Sequence, residues 1–168
     1  MHLKNLLQGN FDRNGCGKGA AYAMTLSSII IPLAIRSGKY DSNKLAWINP
    51  IFYGLVGVAG TLDRNLGMKL MGHKEGIDEE DGQTMALCGW TFDTCVQWSI
   101  IAISLLNGLE PAKAVGYSAL FMFADLVNNN HFRKANAPLN LDDAPGYVMA
   151  ALLAFISYAF LVEAGMEH

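Results

Sequence analysis

The chain has little charge for its length. Only 16% of its 168 residues are Asp, Glu, Lys or Arg, and the formal net charge at pH 7 is −3. No run of basic residues of the kind that follows nucleic-acid phosphates occurs. We therefore expect no nucleic-acid partner.

Cysteine and histidine are also scarce. The three cysteines form no CxxC pair, so no disulfide framework is indicated. The four histidines are scattered, and none has a second ligand residue at metal-binding spacing. No serine or cysteine nucleophile stands at a recognisable distance from a base. The sequence supports neither a metal site nor catalytic residues, and it identifies no cofactor.

Apolar residues, in contrast, are abundant. They make up 52% of the chain, whose mean hydropathy is +0.22. They collect in five stretches: Gly19 to Ile35, Leu45 to Leu62, Thr84 to Leu106, Ala112 to Val127 and Ala144 to Val162. Each stretch is near the roughly 17 to 25 residues that cross a bilayer as a helix. The alternative, a soluble five-helix bundle, requires polar faces with a period near 3.6 residues, and the stretches are mostly apolar all round.

These stretches predict an all-α integral membrane helical bundle of about five transmembrane helices, with four possible, joined by short connectors. Residues 1–168 then form a single membrane domain, with a polar or interfacial N-terminal segment at 1–18 and polar loops at 63–83 and 128–143. Eight Lys and Arg residues on one side against four on the other predict the N-terminus on the positive-inside face. Which membrane is involved is not indicated.

Turn and capping residues predict several helix boundaries. Pro32 predicts a kink in the first helix. Asn49 and Pro50 read as an N-cap and a first-turn proline, which would start the second helix at Pro50. Asn107-Gly108 predicts the end of the third helix and Glu110-Pro111 the start of the fourth. Because the loop between them is so short, these two helices should be antiparallel neighbours.

Small residues recur at helical spacing in two of the stretches. Such smooth stripes let a second helix approach closely, and they predict two helix-packing faces. These faces consist of Gly54, Gly57 and Thr61 in the second stretch and of Gly146, Ala150 and Ala154 in the fifth.

Polar residues inside the third and fourth stretches form a candidate site. At 100° per residue, Asp93, Gln97 and Ser104 project onto one side of their helix. Asp125 lies on the next helix, about as far after Gly108 as Asp93 lies before it, so the two carboxylates are expected at similar depth. Two interpretations remain open: a proton or cation site built on paired carboxylates, or polar contacts that hold helices together.

The sequence also suggests weaker binding candidates. Gln97, Asn128 and His131 could each contact a pigment or a lipid. Taken together, the small-residue faces and the absence of a catalytic set predict a non-catalytic accessory or structural subunit of a larger membrane protein complex, with membrane lipids and other membrane subunits as partners. The alternatives are a small proton- or cation-coupled transporter or channel that uses the carboxylates, and a membrane-embedded enzyme or pigment-binding subunit.

Overall fold

The computed structural model describes residues 22, 25–63, 65–66, 82–134 and 143–165. The predicted N-terminal segment 1–18 and most of the predicted loop 63–83 lie outside these residues. Within them, all regular structure is helical and there is no strand. The elements are a π-helical segment π1 (Leu26–Ile30), α1 (Ile31–Arg36), α2 (Ser42–Ala46), α3 (Ile48–Leu62), α4 (Gly82–Leu106), α5 (Pro111–Val127), a second π-helical segment π2 (Asn128–Phe132), α6 (Ala144–Leu161) and a 3₁₀ turn (Glu163–Gly165).

Pro32 marks the change from π1 to α1. Proline has no N–H, so the α-helical hydrogen bond from residue 32 to the Ser28 carbonyl cannot form. The preceding turn is wider, and the Ile31 N–H donates to the Leu26 carbonyl, five residues back. The predicted kink at Pro32 is thus a π-helical turn in the structure.

Capping differs between α2 and α3. The Asp41 side chain accepts hydrogen bonds from the backbone N–H groups of Asn43 and Lys44, at 2.9 and 3.3 Å, and so caps α2. The prediction that Asn49 caps the second helix is wrong, because α3 begins at Ile48 and Asn49 lies inside it. Trp47 alone separates α2 from α3, and it has helical backbone angles.

A tight turn joins α4 to α5. Gly108 has φ 82°, a conformation that favours glycine, and its N–H donates to the Leu105 carbonyl at 3.0 Å. α5 then begins at Pro111, with Glu110 at the N-cap. At its other end α5 continues through π2 to Phe132, so the first residues of the predicted polar loop 128–143 are helical. The sequence also allowed the fourth helix to continue toward His131, because its apolar stretch is short.

The helices pack as a chain of neighbours. α3 contacts α4, α4 contacts α5, and α5 has its most extensive contact with α6. π1 and α1 pack against α6. The buried core includes Ile31, Ile101, Val115, Ile156 and Phe160, so four segments distant in sequence meet there.

The prediction of an integral membrane bundle is wrong for the part of the chain that the structure describes. None of its helices is both long and apolar enough to cross a bilayer. The stretch Leu45 to Leu62 is divided between α2 and α3, and the first stretch is divided between π1 and α1.

This finding also overturns the conclusions that depended on transmembrane helices. They are the membrane localisation, the orientation of the N-terminus, the membrane subunit, and the membrane transporter, enzyme and pigment-binding alternatives. The all-α prediction agrees with the helical structure of the described residues.

Candidate functional site

Asp93 of α4 and Asp125 of α5 lie on two helices that pack against each other, close enough for their carboxylates to interact electrostatically. Both side chains are half-buried. Burial, and secondly the negative charge of Asp125, raise the pKa of Asp93 from its ordinary value of 3.8 to about 6. The Asn129 side-chain N–H donates to Asp125 Oδ2 at 2.9 Å, one turn further along. Asp93, Asp125 and Asn129 are called the acidic pair cluster below.

The acidic pair cluster can hold a proton at mildly acidic pH. A carboxyl group with a pKa near 6 can serve as a general acid or base when a reacting group lies next to it. No group of three or more His, Cys, Asp and Glu side chains within the described residues could hold a metal ion. The geometry therefore shows two interacting carboxyl groups on neighbouring helices, one of which can hold a proton near pH 6.

Gln97 belongs to a different polar contact. It is buried, and the Tyr53 hydroxyl hydrogen-bonds to the side chains of Gln97 and Ser27. This buried network joins α4, α3 and π1. Burial raises the pKa of Tyr53, and the two hydrogen bonds act in the opposite direction. Ser104 lies half-buried two turns after Gln97, where its carbonyl accepts the Leu109 N–H.

The structure places Asn128 and His131 in π2, on a different element from Gln97. His131 Nδ1 lies 3.4 Å from the Tyr147 hydroxyl of α6. Asn128 is half-buried, whereas the imidazole of His131 is exposed. The three residues suggested as pigment or lipid contacts are therefore on two separate elements, and Gln97 faces the protein core.

The first small-residue face lies against α4. A β-carbon at Gly54 would stand 2.6 Å from Nε1 of Trp98, and one at Gly57 would stand 2.6 Å from Cα of Cys95. These contacts run in opposite chain directions, so α3 and α4 are antiparallel. The Thr61 side chain is outside the described part of the structure.

The second small-residue face lies on α6. Gly146 packs against the Asn130 side chain of π2, Ala150 is buried, and Ala154 is half-buried. A further close contact, between Gly116 of α5 and the Leu161 side chain of α6, was not predicted. Ala112, Gly116 and Ala119 recur at spacings of four and three residues, and this signal could have identified the contact.

An ion pair ties the C-terminal turn to α1. Arg36 Nε lies 3.4 Å from Glu163 Oε1, and the Glu163 side chain is about nine-tenths buried. Glu163 also lines a cleft of about 190 Å³ together with Tyr40 and Asp41. Sequence reasoning missed this pair because 127 residues separate its members.

A row of exposed apolar side chains lies on α3 and the turn before it, and is called the outer stripe below. It consists of Trp47, Ile51, Leu55, Val58 and Leu62. Their spacing of four, four, three and four residues places all of them on one side of the helix. The opposite side, with Tyr53 and Val56, is buried.

α4 extends this surface. Phe92, Ile103 and Leu106 are exposed and project within about 60° of one another at 100° per residue. The core side of α4 carries Gln97, which contacts Tyr53 on the core side of α3. Since both rows point away from the core of two adjacent helices, they lie on the same outward side. The eight side chains, between 40% and 87% exposed, are called the outer surface below.

Comparison of the chain with known protein families, with curated proteins and with solved structures found no match. The geometry of these sites is therefore the basis for a functional proposal.

Proposed function

We propose that this chain is a non-catalytic structural subunit of a protein assembly, and that another protein chain packs against its outer surface. The observation that carries this proposal is the outer stripe, in which five large apolar side chains lie in one row on an exposed helix face. Contiguous apolar patches of this kind mark interaction sites on folded proteins.

The energetics favour a helix as the element that is bound. Full burial of one large apolar side chain contributes about 1.5 to 3 kcal/mol. The spacing of the outer stripe matches the i, i+4, i+7 pattern by which helices and grooves recognise an amphipathic helix. The segment from Ile48 to Leu62 contains no charged residue that would have to be desolvated on contact.

The polar groups support a structural role rather than catalysis. Asp93 and Gln97 lie between helices of this chain, where they contact its own residues. The outer surface contains no pair of nucleophile and base. The binding surface and the polar contacts therefore lie on different sides of α4.

The proposal is tested by the mass of the particle that contains the chain. The full-length chain is isolated with an affinity tag from the cells that produce it, and the particle mass is measured by light scattering after size exclusion. We expect a particle well above the 18.2 kDa of one chain. The variant Ile51→Glu/Leu55→Glu should release the partner chains, because two carboxylates would have to be buried.

A matched control carries the same two charges elsewhere. Tyr117 and Leu120 of α5 are also exposed, so Tyr117→Glu/Leu120→Glu should leave the particle intact. Equal loss in both variants, or a single chain of 18.2 kDa before any substitution, would contradict the proposal. The proposal would also be contradicted if the chain bound phosphatidylcholine vesicles without any partner protein and only Ile51→Glu/Leu55→Glu abolished that binding.

A further inference from the structure

We infer that the partner on the outer stripe is a second copy of this chain, with the two α3 helices antiparallel about a two-fold axis that passes between residues 54 and 55. This inference rests on the proposed function and names the partner. It follows from the symmetry of the stripe, from the charges at its ends and from the restriction of apolar exposure to one face of α3.

The outer stripe is nearly symmetric about its centre. Trp47 and Leu62 lie equally far from the point between residues 54 and 55, and so do Ile51 and Val58. An antiparallel copy therefore places Trp47 opposite Leu62 and Ile51 opposite Val58. Leu55, near the centre of the stripe, lies beside the two-fold axis and next to Leu55 of the other copy.

This arrangement pairs large side chains with smaller ones. Trp47 meets Leu62, and Ile51 meets the shorter Val58, so the two stripes can interdigitate. A parallel copy would place Trp47 against Trp47 and leave the small residues facing each other. The antiparallel pair is also isologous, so it closes as a dimer instead of growing into a filament.

Charges at the two ends of the stripe agree with the antiparallel direction. Lys44 lies one turn before Trp47, and Asp63 follows Leu62 directly; both are exposed. Lys44 also lies 3.8 Å from Asp41 of its own chain, a surface ion pair that leaves its ammonium group open to a second carboxylate. Two-fold pairing brings Lys44 of one chain near Asp63 of the other at both ends. It also sets the N-terminus of each α3 beside the C-terminus of its copy, which is the favourable arrangement of helix dipoles.

Single cysteines report the register directly. The natural cysteines Cys16, Cys88 and Cys95 are first replaced by alanine in the full-length chain, and retention of helical circular dichroism is required. Leu55→Cys should then form a disulfide dimer with itself under mild oxidation, since its two copies lie beside the axis. Ile51→Cys and Val58→Cys should link efficiently when the two proteins are mixed, and poorly when each is alone.

A second experiment does not depend on cysteine substitution. Lys44→Glu and Asp63→Lys should each shift the mass from twice 18.2 kDa toward 18.2 kDa, because each creates two like-charge contacts. The double variant Lys44→Glu/Asp63→Lys should restore the dimer. Both residues are exposed, and the surface ion pair between Lys44 and Asp41 adds little to stability, so the substitutions leave the fold unchanged.

The outcomes separate this inference from the proposed function. If Ile51→Cys, Leu55→Cys and Val58→Cys each form a disulfide dimer with themselves to an equal extent, the two α3 helices are parallel and the inference is wrong. Absence of cross-links, together with a particle that contains other chains and is lost in Ile51→Glu/Leu55→Glu, overturns the second copy as partner and leaves the assembly role standing. A single chain in both experiments overturns both.

Discussion

Gly57 of α3 lies directly against the backbone of Cys95 on α4. A β-carbon at residue 57 would stand 2.6 Å from Cα and 2.8 Å from the backbone nitrogen of Cys95, closer than atoms can approach. The neighbour is main chain, which cannot rotate away. The separation of α3 and α4 is therefore set by the absence of a side chain at this position.

Gly57→Ala is expected to destabilise the fold by about 1 to 3 kcal/mol, the usual cost of overpacking, even though alanine favours helix. Gly54→Ala is the matched comparison, because its new β-carbon meets the Trp98 side chain, which can shift. Urea unfolding followed by circular dichroism measures both. If Gly57→Ala is as stable as the natural chain while Gly54→Ala is not, the close backbone approach is wrong.

Asp93 should make stability depend on pH. Its pKa is raised in the folded chain to about 6 from 3.8, so its contribution to stability is fully present below about pH 4 and is lost as the pH rises through about 6. Asp93→Asn resembles the protonated form. The variant should match the natural chain near pH 4 and exceed it at pH 7 by at most about 3 kcal/mol, at about 1.4 kcal/mol per pH unit.

Thermal or urea unfolding at pH 4, 5, 6 and 7 tests this difference. Glu110→Gln removes an exposed carboxylate at the N-cap of α5 and serves as the control for the loss of one charge. A constant difference between Asp93→Asn and the natural chain across this range would show that the aspartate is not destabilised by burial and by Asp125.

Removal of Arg36 should leave a buried charge without its ion-pair partner. Glu163 is about nine-tenths buried and its Oε2 has no hydrogen-bond partner among the described residues, so Arg36→Leu should cost about 2 to 4 kcal/mol at pH 7. Arg36→Leu/Glu163→Gln should recover much of that loss because the buried charge is removed as well. If the double variant is less stable than Arg36→Leu alone, the assignment of the penalty to the glutamate charge fails.

Asn49 is expected to lower the free energy of unfolding at its buried position. It is fully buried in α3, and neither its side-chain nitrogen nor its side-chain oxygen has a hydrogen-bond partner in the part of the chain that the structure describes. Asn49→Leu has a similar volume and removes both unpaired polar atoms, so we expect it to stabilise the chain by about 1 to 3 kcal/mol. Asn43→Leu is the contrasting change, because Asn43 Oδ1 accepts the Ala112 N–H at 3.1 Å and its loss should destabilise. Equilibrium unfolding of both variants checks the opposite signs.

Local signals in the sequence determined the helical class and several helix ends. Asn107-Gly108 and Pro111 marked the turn between α4 and α5, because a positive φ favours glycine and proline fits a first turn. The same short turn allowed Asp93 and Asp125 to be expected at similar depth, and the charge of Asp125 does act on Asp93. What the pair does stays a prediction.

Predictions from local sequence signals were wrong where tertiary contacts decide the structure. The apolar stretches predicted transmembrane helices, because hydropathy counts apolar residues whether or not one continuous helix contains them. In the structure, Pro32 and the turn at Trp47 divide two of these stretches. Asn49 resembled an N-cap next to Pro50, yet α3 starts at Ile48, two residues before the predicted start, and Asn49 is buried within it.

Tertiary structure alone decided which polar groups meet and which apolar face stays exposed. Tyr53 reaches Gln97 from another helix, and Arg36 pairs with Glu163 across 127 residues, contacts that no local period encodes. Ile51, Leu55 and Val58 share one side of α3, because side chains three and four residues apart lie on the same helix face. This side of α3 is exposed because α3 packs on α4 through Gly54 and Gly57. Whether a helix face is exposed or buried depends on its neighbours in the tertiary structure.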